Sequence, residues 1–362
     1  MDRIARLLST SERSSRILEI GASYNPIAPK ADGWNTHVVD HASRDELRAK
    51  YADAGVDLDR IELVDTVWND GRLHDAVPAS LHGTFDTLIA SHVIEHIPDL
   101  VGFFVSADRL LSTGGVIALA VPDRRYCFDY FKPLSTTGDA LEAHATGRVR
   151  HSRRTIWNHE AYAANADGIG AWGQTPVHKL TFMAGFSKAR ERIAQVRDDP
   201  ATEYVDAHAW MFTPAVFELI IMELGALGLI NWRIATMHGP DGCEFLTFLQ
   251  RGRETADSLP LLEIRRMALL QRHMQELRDQ IDFALAGGAV PPGIAPDRLG
   301  EGAFAERVVR LPAETARQID DVKLHLDHQA GRLAEVETVL GRIASMLRPL
   351  RPVGRFVRYF AR

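Results

Sequence analysis

The segment Arg16–Ser23 constrains the fold of this chain most. An apolar run ending at Ile20 breaks at Gly21, and Asp40 follows nineteen residues later at the end of a second, β-branched run. Such runs predict β-strands, and a glycine at the break permits a tight turn into a helix. Ligands of doubly wound sheets bind beyond the carboxyl ends of the strands, where an acid can accept both ribose hydroxyls. We therefore predict a nucleoside cofactor at Gly21 and Asp40.

The turn that follows Ile20 indicates which kind of nucleoside cofactor the site would bind. Turns that bind the pyrophosphate of a dinucleotide carry three glycines in the pattern G-x-G-x-x-G. Residues 21–26 read G-A-S-Y-N-P, with only the first glycine present. This favours a cofactor with ribose and adenine but no phosphate, such as S-adenosylmethionine. The alternative is that Gly21 merely closes a turn in an unrelated α/β protein.

Two later segments, residues 85–99 and 107–122, strengthen the interpretation of Gly21 and Asp40 as an S-adenosylmethionine site. Together with the first turn they resemble class I S-adenosylmethionine-dependent methyltransferases of the broad type 11 group. The resemblance rests on Glu19-x-Gly21, on Asp40, on S-H-V-I-E-H-I-P-D at 91–99 and on L-L-S-T-G-G at 110–115. Methyltransferases of this group commonly have a second glycine where this chain has Ser23.

The resemblance implies roles for seven residues around the cofactor. We expect Glu19, Gly21 and Ser23 at its methionine end and Asp40 with His41 at its ribose. Asp65 is the candidate for the adenine edge, although a turn acid is an equal alternative. Ser91 and His92 end the predicted fourth strand, beside the reactive methyl group, and His92 has the right chemistry for a general base.

The spacing His92-x-x-Glu95-His96 raises the question of a metal. It is similar to the E-x-x-E-H cluster of ubiquinone-pathway and small-RNA methyltransferases, where magnesium orients the acceptor. Here a histidine replaces the first glutamate, and magnesium prefers oxygen ligands. We therefore predict no metal ligands, and the alternative role of these residues is a turn that opens a helix.

The alternation of apolar runs and helical segments predicts an α/β fold: a Rossmann-like, doubly wound, mainly parallel sheet with a closing antiparallel hairpin. Strands are expected near 16–20, 36–40, 60–64, 85–90 and 115–121, with helices near 43–53 and 100–112. A helix at 215–227 and a hairpin of 231–237 with 243–250 follow. The predicted units are a cofactor-binding core at 1–129, an insert at 130–204 and the rest of the sheet at 205–252.

The insert at 130–204 is rich in histidine, arginine and aromatic residues and is predicted to be a lid over the acceptor. Arginine pairs planar oxyanions, and histidines supply bases. We name as further catalytic candidates His144, His178 and His208, and as acceptor-binding candidates Arg153, Arg154, His159 and Trp172. A solvated surface is the alternative for each polar side chain.

The last third of the chain predicts a helical coiled-coil extension. Heptad seams run through a helix at 253–286, with Met267, Leu270, Met274, Leu277, Ile281 and Ala284, and through a coiled coil at 303–348, joined by a linker at 287–302. We expect a homo-oligomer, with an αα-hairpin as the alternative. The basic amphipathic tail at 349–362 is a candidate for contact with an anionic membrane face, against a solvated or partner-docking tail.

Composition limits the partners and the cellular location to be expected for this protein. A net charge of −6 over 362 residues argues against a generally nucleic-acid-binding surface. Cys127 and Cys243 match no metal or redox spacing, and from the composition of the first fifteen residues and of the apolar runs we expect neither a signal peptide nor a transmembrane segment. We expect a cytoplasmic protein, with the tail as its one candidate for contact with the inner face of the membrane.

These observations favour methyl transfer to a hydroxyl of a small-molecule or glycan-type acceptor. The blocks V-P-D-R-R-Y-C-F-D and H-x-W-x-F-T-P resemble methyltransferases associated with bacterial surface polysaccharide assembly. Two alternatives remain: a nicotinamide-dependent oxidoreductase or epimerase, and a silent scaffold that acts through its coiled coil.

Overall fold

A seven-stranded sheet forms the centre of the protein. The computed structural model describes residues 2–196, 205–252 and 259–288. Its strands are β1 (Ile17–Ile20), β2 (Thr36–Asp40), β3 (Thr66–Val67), β4 (Phe85–Ser91), β5 (Leu111–Pro122), β6 (Ala164–Ala166), β7 (Leu180–Phe182), β8 (Trp232–Asp241) and β9 (Glu244–Arg251). The main sheet has the order β3-β2-β1-β4-β5-β9-β8, and β6 with β7 forms a separate ribbon.

The pairing of these strands is mainly parallel. β1 pairs in parallel with β2 and β4, and the pairs β2–β3 and β4–β5 are also parallel. Within the main sheet only β9 runs against its neighbours, β5 and β8, and in the separate ribbon β6 and β7 are also antiparallel. The predicted Rossmann-like sheet with a closing antiparallel hairpin is therefore confirmed. The strand order reverses between β1 and β4, where sheets of this kind bind ligands.

Helices cover the sheet and extend beyond it. They are α1 (Arg3–Leu7), α2 (Arg44–Lys50), α3 (Leu73–Ala76), α4 (Leu100–Leu110), α5 (Thr137–Ala145), α6 (Arg153–Tyr162), α7 (Phe186–Gln195), α8 (Pro214–Ala226) and α9 (Leu259–Ala286). Local sequence explains several starts: Ser43 forms a capping box with Glu46, and Pro214 opens α8. Among the described residues, no helix is long and apolar enough to cross a bilayer.

The third strand is displaced from its predicted position. We expected it near 60–64, but β3 comprises only Thr66 and Val67. Ile61 is buried in the preceding loop, and Asp65 takes part in the sheet through its side chain: Oδ2 accepts the backbone N–H of Val38 at 2.7 Å. A side-chain carboxylate thus takes the place of a ladder carbonyl, which sequence periodicity does not reveal.

The main core lies between the sheet and the helices α4, α5 and α8. All four residues of β1 are buried, and α4 buries its apolar face against Phe85, Leu88 and Ile117 of the sheet. Part of the predicted lid belongs to this core. Ala140 and Ala143 of α5 are fully buried in it, so the insert includes structural elements as well as surface.

The long helix α9 closes the described part of the chain. Its Glu276 carboxylate accepts the N–H of Ala215 at 3.1 Å and so caps the start of α8. Gln280 bonds the guanidinium of Arg124 at 2.6 Å. The predicted coiled coil at 303–348, the basic tail at 349–362 and most of the linker at 287–302 lie outside the described residues.

Burial in β1 makes a stability prediction. Leu18 is fully buried in the central strand, whereas Leu63 is 62% exposed in the loop before β3. We expect Leu18→Ala to lower the free energy of unfolding by about 2–5 kcal/mol, because it leaves a cavity in a packed core. Leu63→Ala should change it by less than about 0.5 kcal/mol. Urea unfolding followed by circular dichroism measures both, and equal losses would contradict the assigned core.

Candidate active site

A cleft of about 950 Å³ lies at the carboxyl ends of β1, β2 and β4. It brings together six of the seven residues predicted to hold the cofactor: Glu19, Gly21, Ser23, Asp40, His41 and Ser91. His92, the candidate base, also lines it. Residues from five strands and several connecting loops thus surround one space.

Glu19 shapes the floor of the cleft. Its two carboxylate oxygens accept the backbone N–H groups of Ile27, at 2.6 Å, and Ala28, at 3.0 Å. The side chain is therefore tied to the loop after β1, and only 2% of the residue is exposed. Burial raises the pKa of Glu19 to about 7, despite the opposing effect of these two hydrogen bonds. These contacts indicate that Glu19 supports the turn after β1.

Gly21 has two reasons to be glycine. Its φ is +69°, in the left-handed region, and a Cβ there would lie 2.6 Å from Cγ2 of Val93. Ser23, at the position where relatives of the resembled group have glycine, also adopts a positive φ of 47°. The buried Ser23 hydroxyl has no hydrogen-bond partner among the described residues, so a ligand hydroxyl or amine can bond it.

Asp40 holds the turn and the end of β2 together. Its Oδ2 accepts the N–H of Ser23 at 2.9 Å, and its Oδ1 accepts the N–H of His41 at 2.8 Å. The ring of His41 lies on the same oxygen at 2.7 Å. A carboxylate has about four acceptor positions, so these contacts leave capacity for a ribose hydroxyl.

The end of β4 is fixed by a chain of polar contacts. Arg3 donates to Ser91 Oγ at 2.6 Å and forms a bidentate ion pair with Glu244, the first residue of β9. Nε2 of His92 lies 2.7 Å from Glu244 Oε2, and His92 has a positive φ of 53°. A non-glycine residue in this region is uncommon, and the contacts with Glu244 stabilise it here.

The charges of this chain explain the pKa values of its members. Burial alone would raise the pKa of Glu244, but hydrogen bonds from His92 and Arg3 lower it to about 2. Burial lowers the pKa of His92, yet the hydrogen bond to Glu244 and the charges of Glu95 and Glu244 leave it raised. These carboxylates therefore favour the charged form of the His92 ring.

A second group of polar side chains continues the wall of the cleft behind His92. His96 and Asp206 line the cleft, and His96 Nδ1 lies 2.9 Å from Asp206 Oδ1. Glu95 and His208 are buried immediately behind them. The backbone carbonyl of Glu95 accepts the N–H groups of Ala209, at 2.6 Å, and Trp210, which fixes His208 beside it.

Asp65 is a correction to the predicted cofactor site. Its Oδ2 accepts from Val38 N–H and from Lys30 Nζ, at 2.7 and 2.5 Å, and the side chain does not line the cleft. The loop after β3 lines the cleft instead, through Trp68, Asn69, Asp70 and Gly71. The N–H of Trp68 donates to the carbonyl of Asp40 at 2.7 Å, which holds this loop next to the ribose candidate.

The acceptor-side candidates of the insert also lie away from the cleft. His144 bonds Asp99, Arg154 bonds Asp139, and Arg153 donates to the carbonyl of Val196. These three are structural contacts at helix ends. The prediction of a direct catalytic or substrate-binding role for them finds no support in their positions.

The remaining insert candidates are buried or bound elsewhere. Trp172 packs with Val177 in a small separate core, and His178 contacts the carbonyl of Gly287 at 2.8 Å. His159 lies behind His208, and burial with the nearby charge of Lys132 lowers its pKa to about 3. His208 does not line the cleft, but its ring packs edge-on against that of His96, which does.

Four residues that shape the cleft were missed by sequence reasoning: Arg3, His96 as a lining residue, the loop residue Asn69, and Glu244. Arg3 and Glu244 are 241 residues apart, and no local pattern connects them. His96 belongs to the H-x-x-E-H spacing and was considered only as part of a magnesium cluster. That spacing was the one signal available.

Comparison with known proteins supports one domain assignment. A family model described as a methyltransferase domain matches residues 1–171, slightly less than half of the chain. The match supports a methyltransferase domain over β1–β5 and the cleft that they form. No protein of curated function matches the chain in sequence.

Several solved structures are distantly similar. The CcbJ methyltransferase of Streptomyces caelestis is 14% identical, with 69% of this chain and 94% of that one covered and a TM-score of 0.37. A protein from Rhodobacter sphaeroides described as a zinc-dependent alcohol dehydrogenase is also 14% identical. The match covers 69% of this chain and 89% of that one, with a TM-score of 0.37. DhpI, solved in complex with S-adenosylhomocysteine, is 14% identical. The match covers 70% of this chain and 86% of that one, with a TM-score of 0.32. At these scores the likeness carries no information on substrate or cofactor.

The titration of Glu19 gives a testable pH dependence. Because the folded pKa of about 7 exceeds the ordinary 4.5, the unfolded chain ionises first as the pH rises. We expect the stability that depends on protonated Glu19 to be complete below about pH 4.5 and lost by about pH 7, up to about 3 kcal/mol. Urea unfolding of wild type and Glu19→Gln measures it: their difference should change over this interval, whereas exposed Glu12→Gln should parallel the wild type. A constant difference would contradict the assignment.

Proposed function

We propose that this protein transfers a methyl group from S-adenosylmethionine to an acceptor hydroxyl. The observation that carries the proposal is the convergence of Gly21, Ser23 and Asp40 on one cleft at the point where the strand order reverses. The methyltransferase-domain match over residues 1–171 supports it.

The cleft offers a distinct partner for each part of the cofactor. Asp40 accepts the ribose hydroxyls, and the loop Trp68–Gly71 beside it replaces Asp65 as the candidate for the adenine edge. The unbonded hydroxyl of Ser23 is offered to the methionine end. The turn lacks the glycines of a pyrophosphate cradle, which disfavours the nicotinamide alternative.

The reaction is a displacement at the methyl carbon. Gly21, Ser23 and Asp40 would hold the cofactor, which would supply an electrophilic methyl group to the lone pair of the acceptor oxygen and would leave as the neutral thioether. The proton of the acceptor hydroxyl would pass to the Asp206 carboxylate or to solvent at the cleft wall. Alignment of donor and acceptor and exclusion of water are the main contributions of the protein.

The acceptor side of the cleft is the wall of His92, His96 and Asp206. It is polar, and its two imidazole rings and one carboxylate can hydrogen-bond an acceptor hydroxyl. We propose a small-molecule or glycan-type acceptor, and the link to surface polysaccharide assembly rests on the sequence resemblance alone.

Binding of S-adenosylhomocysteine tests the cofactor assignment. We expect the wild type to bind it in isothermal titration and Asp40→Asn to bind about 10- to 100-fold more weakly, because hydrogen bonds to a charged acceptor contribute about 1.5–3 kcal/mol. The amide keeps an acceptor for the backbone N–H groups, so the fold should persist.

The matched control is Asp53→Asn, at an exposed aspartate outside the cleft. It should bind as the wild type does. A folded wild type that binds no S-adenosylhomocysteine, or an Asp40→Asn variant with unchanged affinity, would refute the proposed cofactor site. NADH fluorescence on mixing tests the nicotinamide alternative in the same preparation.

We also propose that the chain self-associates through α9. Its predicted seam residues Met267, Leu270, Met274 and Ile281 are between 40% and 65% exposed, while the opposite face packs on α8. Steps of three and four residues suit pairing with another helix, and a second copy supplies one with the same seam.

A charge in this seam should weaken the association. We expect Met274→Glu to shift the monomer–oligomer equilibrium at least about tenfold toward monomer, whereas the neighbouring exposed Gln275→Glu should leave it unchanged. Sedimentation velocity over a concentration series measures both. A wild type that is monomeric throughout, or an oligomer insensitive to Met274→Glu, would refute the interface.

A further inference from the structure

A buried carboxylate beside the cleft lacks a hydrogen-bond partner. Glu95 is fully buried, and neither of its carboxylate oxygens accepts a hydrogen bond within the described residues. Buried charges in proteins are normally paired and hydrogen-bonded or coordinate metals, because an uncompensated one is costly. The surroundings of Glu95 should therefore show what compensates it.

Three histidines surround one oxygen of Glu95 at similar distances. Oε1 lies 3.7 Å from His92 Nδ1, 3.7 Å from His96 Nε2 and 3.8 Å from His208 Nε2. These separations are too long for hydrogen bonds. They suit ligands of a common ion, since bonds of about 2.1 Å place two ligand atoms about 3–4 Å apart. Ligand atoms of Glu95, His96 and His208 all lie within 4.8 Å of one another.

Each of these rings turns its other nitrogen toward a carboxylate. His208 Nδ1 lies 2.6 Å from Asp129, His96 Nδ1 lies 2.9 Å from Asp206, and His92 Nε2 lies 2.7 Å from Glu244. Because a carboxylate accepts, Nδ1 of His208 carries the proton in its hydrogen bond to Asp129, and a neutral His208 ring then offers Nε2 as a ligand. Carboxylate–histidine pairs of this kind orient the ligands of metal sites.

We propose that Glu95, His96 and His208 bind a divalent first-row transition metal ion such as Zn²⁺, Mn²⁺ or Fe²⁺. Imidazole ligands disfavour magnesium, which is why the sequence predicted no metal. The same imidazole ligands favour these transition metal ions. This revises the expectation of no metal ligands, and His208 is the member that the H-x-x-E-H spacing did not show.

The position of the site gives the ion a task. His92 and His96 line the cleft, so an open coordination position there meets the acceptor. An ion bound at this wall would hold an acceptor oxygen and lower the pKa of its hydroxyl. This use rests on the proposed function, whereas metal binding itself does not.

Metal titration of tag-free protein, dialysed against a chelator, tests the site. We expect visible d–d absorption on addition of Co²⁺ and saturable binding of Zn²⁺ by calorimetry. Glu95→Gln and His208→Gln should weaken Zn²⁺ at least about 100-fold, and Asp129→Asn, which acts through His208, about 10- to 100-fold. His238→Gln, at an exposed histidine of β8, is the matched control and should bind as the wild type does.

Thermal unfolding guards against loss of fold. In chelator, Glu95→Gln should be at least as stable as the wild type, because it removes a buried charge; Zn²⁺ should then raise the Tm of the wild type only. Equal Zn²⁺ affinity of wild type, Glu95→Gln and His208→Gln, or no binding at all, would overturn the proposal. Zn²⁺ binding without S-adenosylhomocysteine binding would refute the proposed function alone; the converse would refute the metal site alone.

Discussion

The carboxylate of Glu19 is the contact on which the cleft depends. It lies at the end of the central strand β1 and accepts two backbone N–H groups from the loop that returns after the turn, at Ile27 and Ala28. Without these bonds the loop would bury two unpaired donors, at a cost of about 1–3 kcal/mol each. The same clamp fixes the approach of Gly21 and Ser23 to Asp40, so that one buried acid determines the shape of the cofactor end.

The sequence predicted the sheet, and the approach of Gly21 to Asp40 at one cleft, because both depend on local patterns. Gly21 is marked by the break of an apolar strand, and Asp40 by its place at the end of the next one. Asp65 was misassigned for a physical reason: an acid that completes a strand ladder through its side chain looks the same, in sequence, as one that binds a ligand. The predicted strand at 60–64 failed for the same reason.

The acceptor end was predicted less well because long-range contacts build it. Arg3 and Glu244 are 241 residues apart in the chain, and His208 is held near Glu95 by its neighbours Ala209 and Trp210, which donate to the Glu95 carbonyl. A count of histidines in the insert identified a polar region but not which rings converge. His144 and His208 are indistinguishable by residue type, yet one supports the start of α4 through Asp99 and the other faces the cleft wall.

The ion pair between Arg3 and Glu244 has a consequence for synthesis. Its partners belong to the first helix and the last strand of the sheet, so the chain must emerge from the ribosome almost to the end of the sheet before β4 acquires its final supports. Residues 17–40, which supply β1, the turn at Gly21 and β2, emerge much earlier. A nascent chain of this protein therefore passes through a stage at which Gly21 and Asp40 are already present while Ser91 and His92 still lack the support of Glu244.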